Sequence, residues 1–415
     1  MKQLLILLSL YTLTNVTIQA QEQKETAPPD YIKTIVFKGS DETRQFPVVR
    51  LNENITLSFD DLYADEADYY YKIEHCDYLW NPSDMVKSQY LKGLDNQRIT
   101  NYQNSVATLQ PYTHYELKIP NDQTRLTLSG NYILKIFDSH DELVFSRRFV
   151  IYQDAVSVGI NLKTSRDLNL FNSQQVVQYT INSNNLNIIN PQKELKTVIL
   201  QNYNWNTSVK NIKPQFISGN QYTYKYDKET AFNGGNEYLY FENKDIRIPT
   251  NHIKHVNLKN IYEHHLYTDE NRSDKLYTYN PDINGDFRIS SLESDNAFQA
   301  DYAFVHFSIP YSNEFGLNKV YVYGKFNNYG LHEENRLKYN EESGVMETSI
   351  LLKQGFYNYK YILAEDNKNI NLDYFSGNHS ETENEYLIIV YYRNFGQNYD
   401  SILGIGSGNS TNITR

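Results

Sequence analysis

The stretch "YKIEHCDYLWNPSD" (71–84) sets His75, Cys76 and Asp77 in a row. These are the side chains of a thiol nucleophile with its base and orienting acid, or of a zinc site. Their spacing opposes both uses. The flanking residues alternate as a strand does, and neighbours on a strand point to opposite faces, so His75 and Cys76 cannot converge on one substrate. Zinc takes three or four ligands, Cys76 is the only cysteine of the chain, and His114 and His140 are scattered. The stretch therefore reads as structural. Cys76 is expected to be a small buried hydrophobe, His75 to hydrogen-bond its neighbours, and Trp80 to pack over the end of a sandwich.

Other candidates carry less. His264-His265 is a tempting metal pair, but adjacent residues on an extended chain diverge and no further ligand stands at ligand spacing in the sequence. In "NPDINGDF" (280–287) Asp282, Asn284 and Asp286 alternate like calcium ligands. Gly285 is misplaced for an EF-hand loop and no glutamate closes it, so a polar turn is expected. The sequence has no nucleophile elbow, no H-E-x-x-H and no glycine-rich phosphate loop. Carboxylate pairs for glycoside hydrolysis cannot be picked out without geometry. Nothing supports an enzyme, and no catalytic, cofactor-binding or metal residues are expected.

The elements that would position these residues are strands. "NITLSFDDL" (54–62), "YYYKIEHC" (69–76), "HYELKIP" (114–120), "NYILKIF" (131–137) and "LVFSRRFVIY" (143–152) alternate with period two between Gly/Asn/Asp/Pro turns. Strands recurring every ~8–12 residues point to sandwiches. One short helix is expected over 81–93, capped by Asn81 or Ser83 and ended by Gly93. A second strand group starts near Ala155 and a third near Asp301. The expected division is a signal at 1–20, a linker at 21–30, sandwiches at 31–153, 154–288 and 289–405, and a disordered small-residue tail at 406–415. The class is all-β: three tandem immunoglobulin-like or early-set β-sandwiches with little helix.

Composition limits the partners. Lys2, the apolar run Leu4–Leu10 and Ala20 have the layout of a cleavable export signal, and that run is far shorter than the roughly 20 residues that span a bilayer. No cysteine stands near the cleavage point, which argues against a lipid anchor there. A lone cysteine allows no internal disulfide, so packing must hold this exported chain together. Net charge is −11, from 50 acidic and 39 basic residues, which disfavours nucleic acid and anionic lipid as partners. The 38 tyrosines are twice the 19 phenylalanines; tyrosine suits both strands and contact surfaces.

In the third group, Gly324, Phe326, Asn327, Gly355, Tyr357, Tyr359 and Lys360 resemble the skeleton of early-set, glycogen-binding-type sandwiches. Tyr329 stands where such modules carry a sugar-stacking tryptophan. Along nearly the whole mature chain, however, the motifs resemble the plug protein family of the bacterial type IX secretion system, formerly a domain of unknown function. The first domain carries this in "LSFDDL", "YYYKIEHCDYLWNPSD", "YLKGL", "YTHYELKIPND", "SGNYILKIF" and "RRFVIY". The second carries it in "FNGGNEYLYFENKDIR" and "NGDF", and the third in "YGKFNNY", "GFYNYKY", "ETENEYLIIVYYR" and "YDSILGI". Tyr78 departs from the pattern, where a small residue is expected. The residues taken from these motifs as structural are His75, Cys76, Asp77, Trp80, Pro82, Ser83, Gly130, Gly234, Gly235, Gly324, Phe326, Tyr357 and Tyr359.

The resemblance implies a non-enzymatic periplasmic protein of Bacteroidota-like bacteria, monomeric when free and not inserted in the membrane. Its partner would be the giant outer-membrane β-barrel translocon, whose periplasmic mouth it closes. Loops 94–112 and 262–281 are the candidate docking elements. Two rivals stand beside this reading: a carbohydrate-binding protein of a polysaccharide-uptake system, and a hydrolase whose acids meet only in the fold.

Overall fold

The computed structural model describes residues 22–41, 45–184, 186–292, 297–366, 369–411 and 413; the expected export signal lies outside the described residues. The fold is all-β sandwich, with only two four-residue α-helices among the described residues, Lys87–Tyr90 and Pro191–Glu194. The helix expected over 81–93 is thus confined to Lys87–Tyr90, with Val86 at its N-cap. Pro82 bridges back to Cys76, and the Ser83 amide donates to the His75 carbonyl, so these residues extend the sheet instead of capping a helix. Gly93 ends a short strand, and its φ of +107° is one that only glycine holds without strain.

In the first sandwich, one sheet runs in the order Ile32–Lys38, Ile55–Asp61, Thr113–Ile119, Asn101–Asn104. The facing sheet runs Val48–Arg50, Leu143–Tyr152, Gly130–Phe137, Tyr70–Cys76, Gln97–Arg98. Alternate residues such as Leu57, Phe59, Tyr71, Ile73, Tyr132, Leu134 and Phe145 fill the space between them. The segment expected to be a free linker lies along this sandwich: the Thr26 amide donates to Ser146 Oγ at 2.8 Å and the Arg148 amide to Glu25 at 2.6 Å.

The sheets do not divide at 288/289 as expected. Leu195–Gln201 in the second sandwich pairs along its whole length with Glu385–Tyr392, near the end of the chain, and Ser401–Asn409 pairs next to it. The third sandwich (Leu239–Glu242 through Ile370–Asn371) is therefore inserted into the second, and the chain crosses between them twice. The cause is legible in "EYLIIVYY", which is apolar on both faces and needs cover on both. Tyr386, Ile388, Val390 and Tyr392 face the second sandwich's own core. Leu387, Ile389 and Tyr391 face the first sandwich.

The expected disordered tail is also revised, because Gly406–Asn409 complete a strand. Its small residues alternate as Gly404, Gly406 and Gly408, all on one face. A β-carbon on Gly406 would stand 2.6 Å from the Val158 side chain, and one on Gly404 2.9 Å from Val156. The glycine face lets this strand press directly against Ser157–Thr164. What reads as low complexity is a packing surface.

Candidate functional site

Pro82 is exposed; the other sequence-derived motif residues lie in a core or at a junction between sandwiches. On Tyr70–Cys76 the two neighbours diverge as their spacing requires. His75 turns inward, with Nδ1 2.9 Å from Ser83 Oγ and its ring edge-on to Tyr132. Gly130 leaves the room for it, since a β-carbon there would lie 2.3 Å from His75 Nε2. Burial holds the imidazole down to about 4, so it is neutral at ordinary pH. Cys76 points the other way and is fully buried, and burial pushes its thiol up to about 12. A protonated, enclosed sulfur is no nucleophile.

The face that Cys76 joins is the junction of the first and second sandwiches. Cys76, Trp80, Ile133 and Val150 pack there against Val198, Leu200, Leu387, Ile389, Tyr391 and Ile402. Asp77 builds the turn: Oδ1 accepts the amides of Leu79 at 2.8 Å and Asn81 at 2.9 Å, and Trp80 sits at φ +68°. That conformation points the Trp80 ring out of its own sandwich to meet Trp205 edge to face at 5.0 Å. Trp80 was expected at a sandwich end; it is instead the centre of a junction. The Arg148 guanidinium lies over its ring at 4.6 Å. Asp400 closes the rim, accepting from the Tyr78 amide at 3.1 Å and bidentately from Arg393 at 2.9 and 2.8 Å. Thus "HCDYLW" and "YDSILGI", far apart in sequence, meet at one seam.

The first and third sandwiches join through a buried charge. Asp60 and Lys353 are both fully buried, with Nζ 2.6 Å from Oδ2. Tyr302 donates its hydroxyl to the same oxygen at 2.6 Å, and His114 Nδ1 lies 2.5 Å from Oδ1. Burial pushes the Asp60 carboxyl up, but the Lys353 charge and the His114 contact outweigh it, and its pKa falls below the ordinary value. Burial pushes the Lys353 ammonium down against the pull of Asp60. Beside them, Asp301 accepts the amides of Leu109 at 2.6 Å and Gln110 at 3.2 Å. The second half of the expected docking loop 94–112 is therefore spent on this internal contact. Nothing in the sequence links Asp60 to Lys353, whose partnership arises only when two sandwiches dock.

The second and third sandwiches are stitched where the chain crosses. Gly234 and Gly235 lie against the returning segment that leads into Glu385–Tyr392: the His379 amide donates to the Gly235 carbonyl at 2.8 Å, and a β-carbon on Gly234 would stand 2.0 Å from the His379 carbonyl oxygen. Asn384 Nδ2 donates to the Gly234 carbonyl at 2.8 Å, and Gln175 Nε2 to the Thr382 carbonyl at 2.7 Å. Within the third sandwich, Gly324 admits the Phe326 ring beside Asn358. Tyr357 donates to the Lys353 carbonyl at 2.7 Å. Tyr359 donates to Asp269 at 2.8 Å. Tyr329 is buried, so it offers no platform for a sugar.

The calcium-like turn is occupied by its own protein. Asp282 accepts from the Tyr238 and Asn284 amides, and Asp286 from the Gln45 amide at 3.0 Å and the Phe287 amide at 2.9 Å. His264 and His265 diverge: His264 is buried, with Nε2 2.9 Å from the Ile246 carbonyl. His265 faces outward beside His306, and with Glu263 these make the one grouping with metal-ligand spacing among the described residues. Sequence spacing missed it because His306 arrives on a parallel neighbouring strand, in register with His265.

Two comparisons bear on identity. Residues 32–153 match the family profile described as "Type 9 secretion system plug protein 1st domain". Among solved structures, the chain is similar to a hypothetical protein from Parabacteroides merdae ATCC 43184, at 29% identity and a TM-score of 0.89. That likeness covers 94% of this chain and 100% of the other. No curated protein matches this chain.

Proposed function

Taking as premise that its first domain places this chain in the type 9 secretion system plug protein family, we propose that it is the periplasmic plug closing the inner mouth of that system's giant outer-membrane barrel. The observation that carries this reading is the joining of three sandwiches to one another at three junctions. An apolar seam joins the first to the second, a buried ion pair the first to the third, and a paired chain crossing the second to the third. A body that blocks a wide opening must not hinge under load, and these junctions leave little freedom for hinging. No helix among the described residues is long and apolar enough to cross a membrane, as suits a partner that meets the barrel from the aqueous side.

The rim contact must release when cargo moves, which favours a moderate interface over an obligate apolar one. Exposed Leu276 and Tyr279 lie in the loop following Tyr262–Leu266 and are free of the junctions, unlike Leu109 and Tyr112. They are the better docking candidates. The test is co-purification from detergent-solubilised outer membranes of the native host. Tagged mature chain should retain a very large barrel protein, and Leu276→Asp with Tyr279→Ala should reduce its yield. Recovery of no outer-membrane barrel would overturn the reading.

A further inference from the structure

The outer face of the third sandwich carries a row of histidines that the junctions do not use. Antiparallel pairing sets His255 opposite His265, and parallel pairing sets His265 opposite His306. The rings stack at 4.2 Å and 4.0 Å between centroids. Glu263 is two residues before His265 on the same strand and so on the same face. Its Oε2 lies 3.8 Å from His265 Nε2 and 3.9 Å from His306 Nε2. These separations are too long for hydrogen bonds, and both Nε2 atoms are enclosed without a hydrogen-bond partner. Two orphaned imidazole nitrogens beside one carboxylate oxygen is an arrangement that a shared cation would complete.

We propose that Glu263, His265 and His306 form a binding site for a divalent transition metal of the zinc class. The ligand set, two imidazoles and a carboxylate, is one zinc accepts while leaving a further position open. It disfavours calcium and magnesium, which take oxygen ligands. In a tetrahedral zinc site, ligand atoms about 2.0–2.1 Å from the metal lie roughly 3.3 Å from each other. Closing from 3.8 and 3.9 Å to that spacing needs shifts of well under an ångström at Glu263. The two rings must also tilt out of their stack so that both lone pairs meet the ion. The exposed Lys259, whose Nζ is 3.0 Å from Glu263 Oε2, would give way. His265 and His306 stand at a cleft also lined by Glu333, Arg336 and Glu347, so the open position would face solvent or a docked partner.

The experiment uses tag-free mature chain stripped with a chelator, titrated calorimetrically with zinc chloride. Cobalt(II) absorbance gives a second readout, since a tetrahedral site gives intense visible bands. One equivalent should bind. His306→Gln and His265→Gln should each weaken binding by more than the roughly 10–100-fold that outer-shell changes cost, with the melting temperature of the stripped protein unchanged. Absence of zinc uptake by folded wild-type chain would overturn the site. So would uptake that survives the His265→Gln/His306→Gln double substitution. Neither result bears on whether the chain plugs a barrel.

Discussion

Trp80 and Trp205, the only tryptophans of the chain, meet edge to face at 5.0 Å across the seam between the first and second sandwiches. Tryptophan emission therefore reports on that seam directly. If the sandwiches unfold as one body, the red shift in denaturant should coincide with loss of far-UV circular dichroism. Trp80→Ala should destabilise the protein by about 3–5 kcal/mol, the usual loss for a buried aromatic. A fluorescence transition at much lower denaturant than the dichroism transition would mean that the seam opens while the sandwiches persist.

The Asp60–Lys353 pair makes the strongest electrostatic prediction. Lys353→Met leaves a buried carboxylate without its cation and should cost about 3–5 kcal/mol, whereas Asp60→Leu with Lys353→Met should cost much less. Urea melts of the two variants check this. The pH dependence follows from the lowered Asp60 pKa. A carboxyl depressed in the folded state contributes stability that is fully present above its unfolded value, about 3.9. That stability is lost as pH falls through the lower folded value. Acid should therefore weaken the junction of the first and third sandwiches, and Asp60→Asn should flatten this part of the profile.

The glycine face of Ser401–Asn409 predicts an overpacking penalty. Gly406→Val places a branched side chain where the Val158 side chain already stands 2.6 Å from the β-carbon position. It should destabilise by ~1–3 kcal/mol. Gly396, in the preceding turn, has open space around its β-carbon position but a φ of +88°. Its substitution by Asn, which tolerates that region, should be far milder. Equal melting temperatures for the two variants would argue against the close approach of the strands.

Much of the sheet was legible because period-two alternation is a local property. Tyr70–Cys76 and Gly130–Phe137 can be read from their own residues, and so can the divergence of His75 from Cys76. What sequence spacing could not supply was partnership between strands. "EYLIIVYY" announces burial on both faces, but not that its neighbour is Leu195–Gln201, so the insertion of the third sandwich was missed. "GIGSGN" looks like a flexible tail by composition, and only its alternation marks a packing face. Asp60 with Lys353, and His265 with His306, are pairs made by docking or by strand register; neither leaves a trace in local pattern. The turn around Trp80 was found by its motif, yet its role faces another domain.

Cys76 offers the last and simplest test of the seam. Its thiol is enclosed and held near 12, so it should not react with a disulfide reagent such as DTNB while the protein is folded. Reaction must wait for the first and second sandwiches to part. The labelling rate should therefore rise with denaturant and with Trp80→Ala. In the regime where reclosing outpaces chemistry, it should follow the free energy of opening. Cys76→Ala, which keeps a small apolar group there, should change stability little, while Cys76→Asp would bury a charge in the seam and prevent docking. Rapid labelling of the native chain at neutral pH, with an intact fold by circular dichroism, would show that the seam is open in solution. The rigid three-sandwich body on which the plug reading rests would then lose one of its three joints.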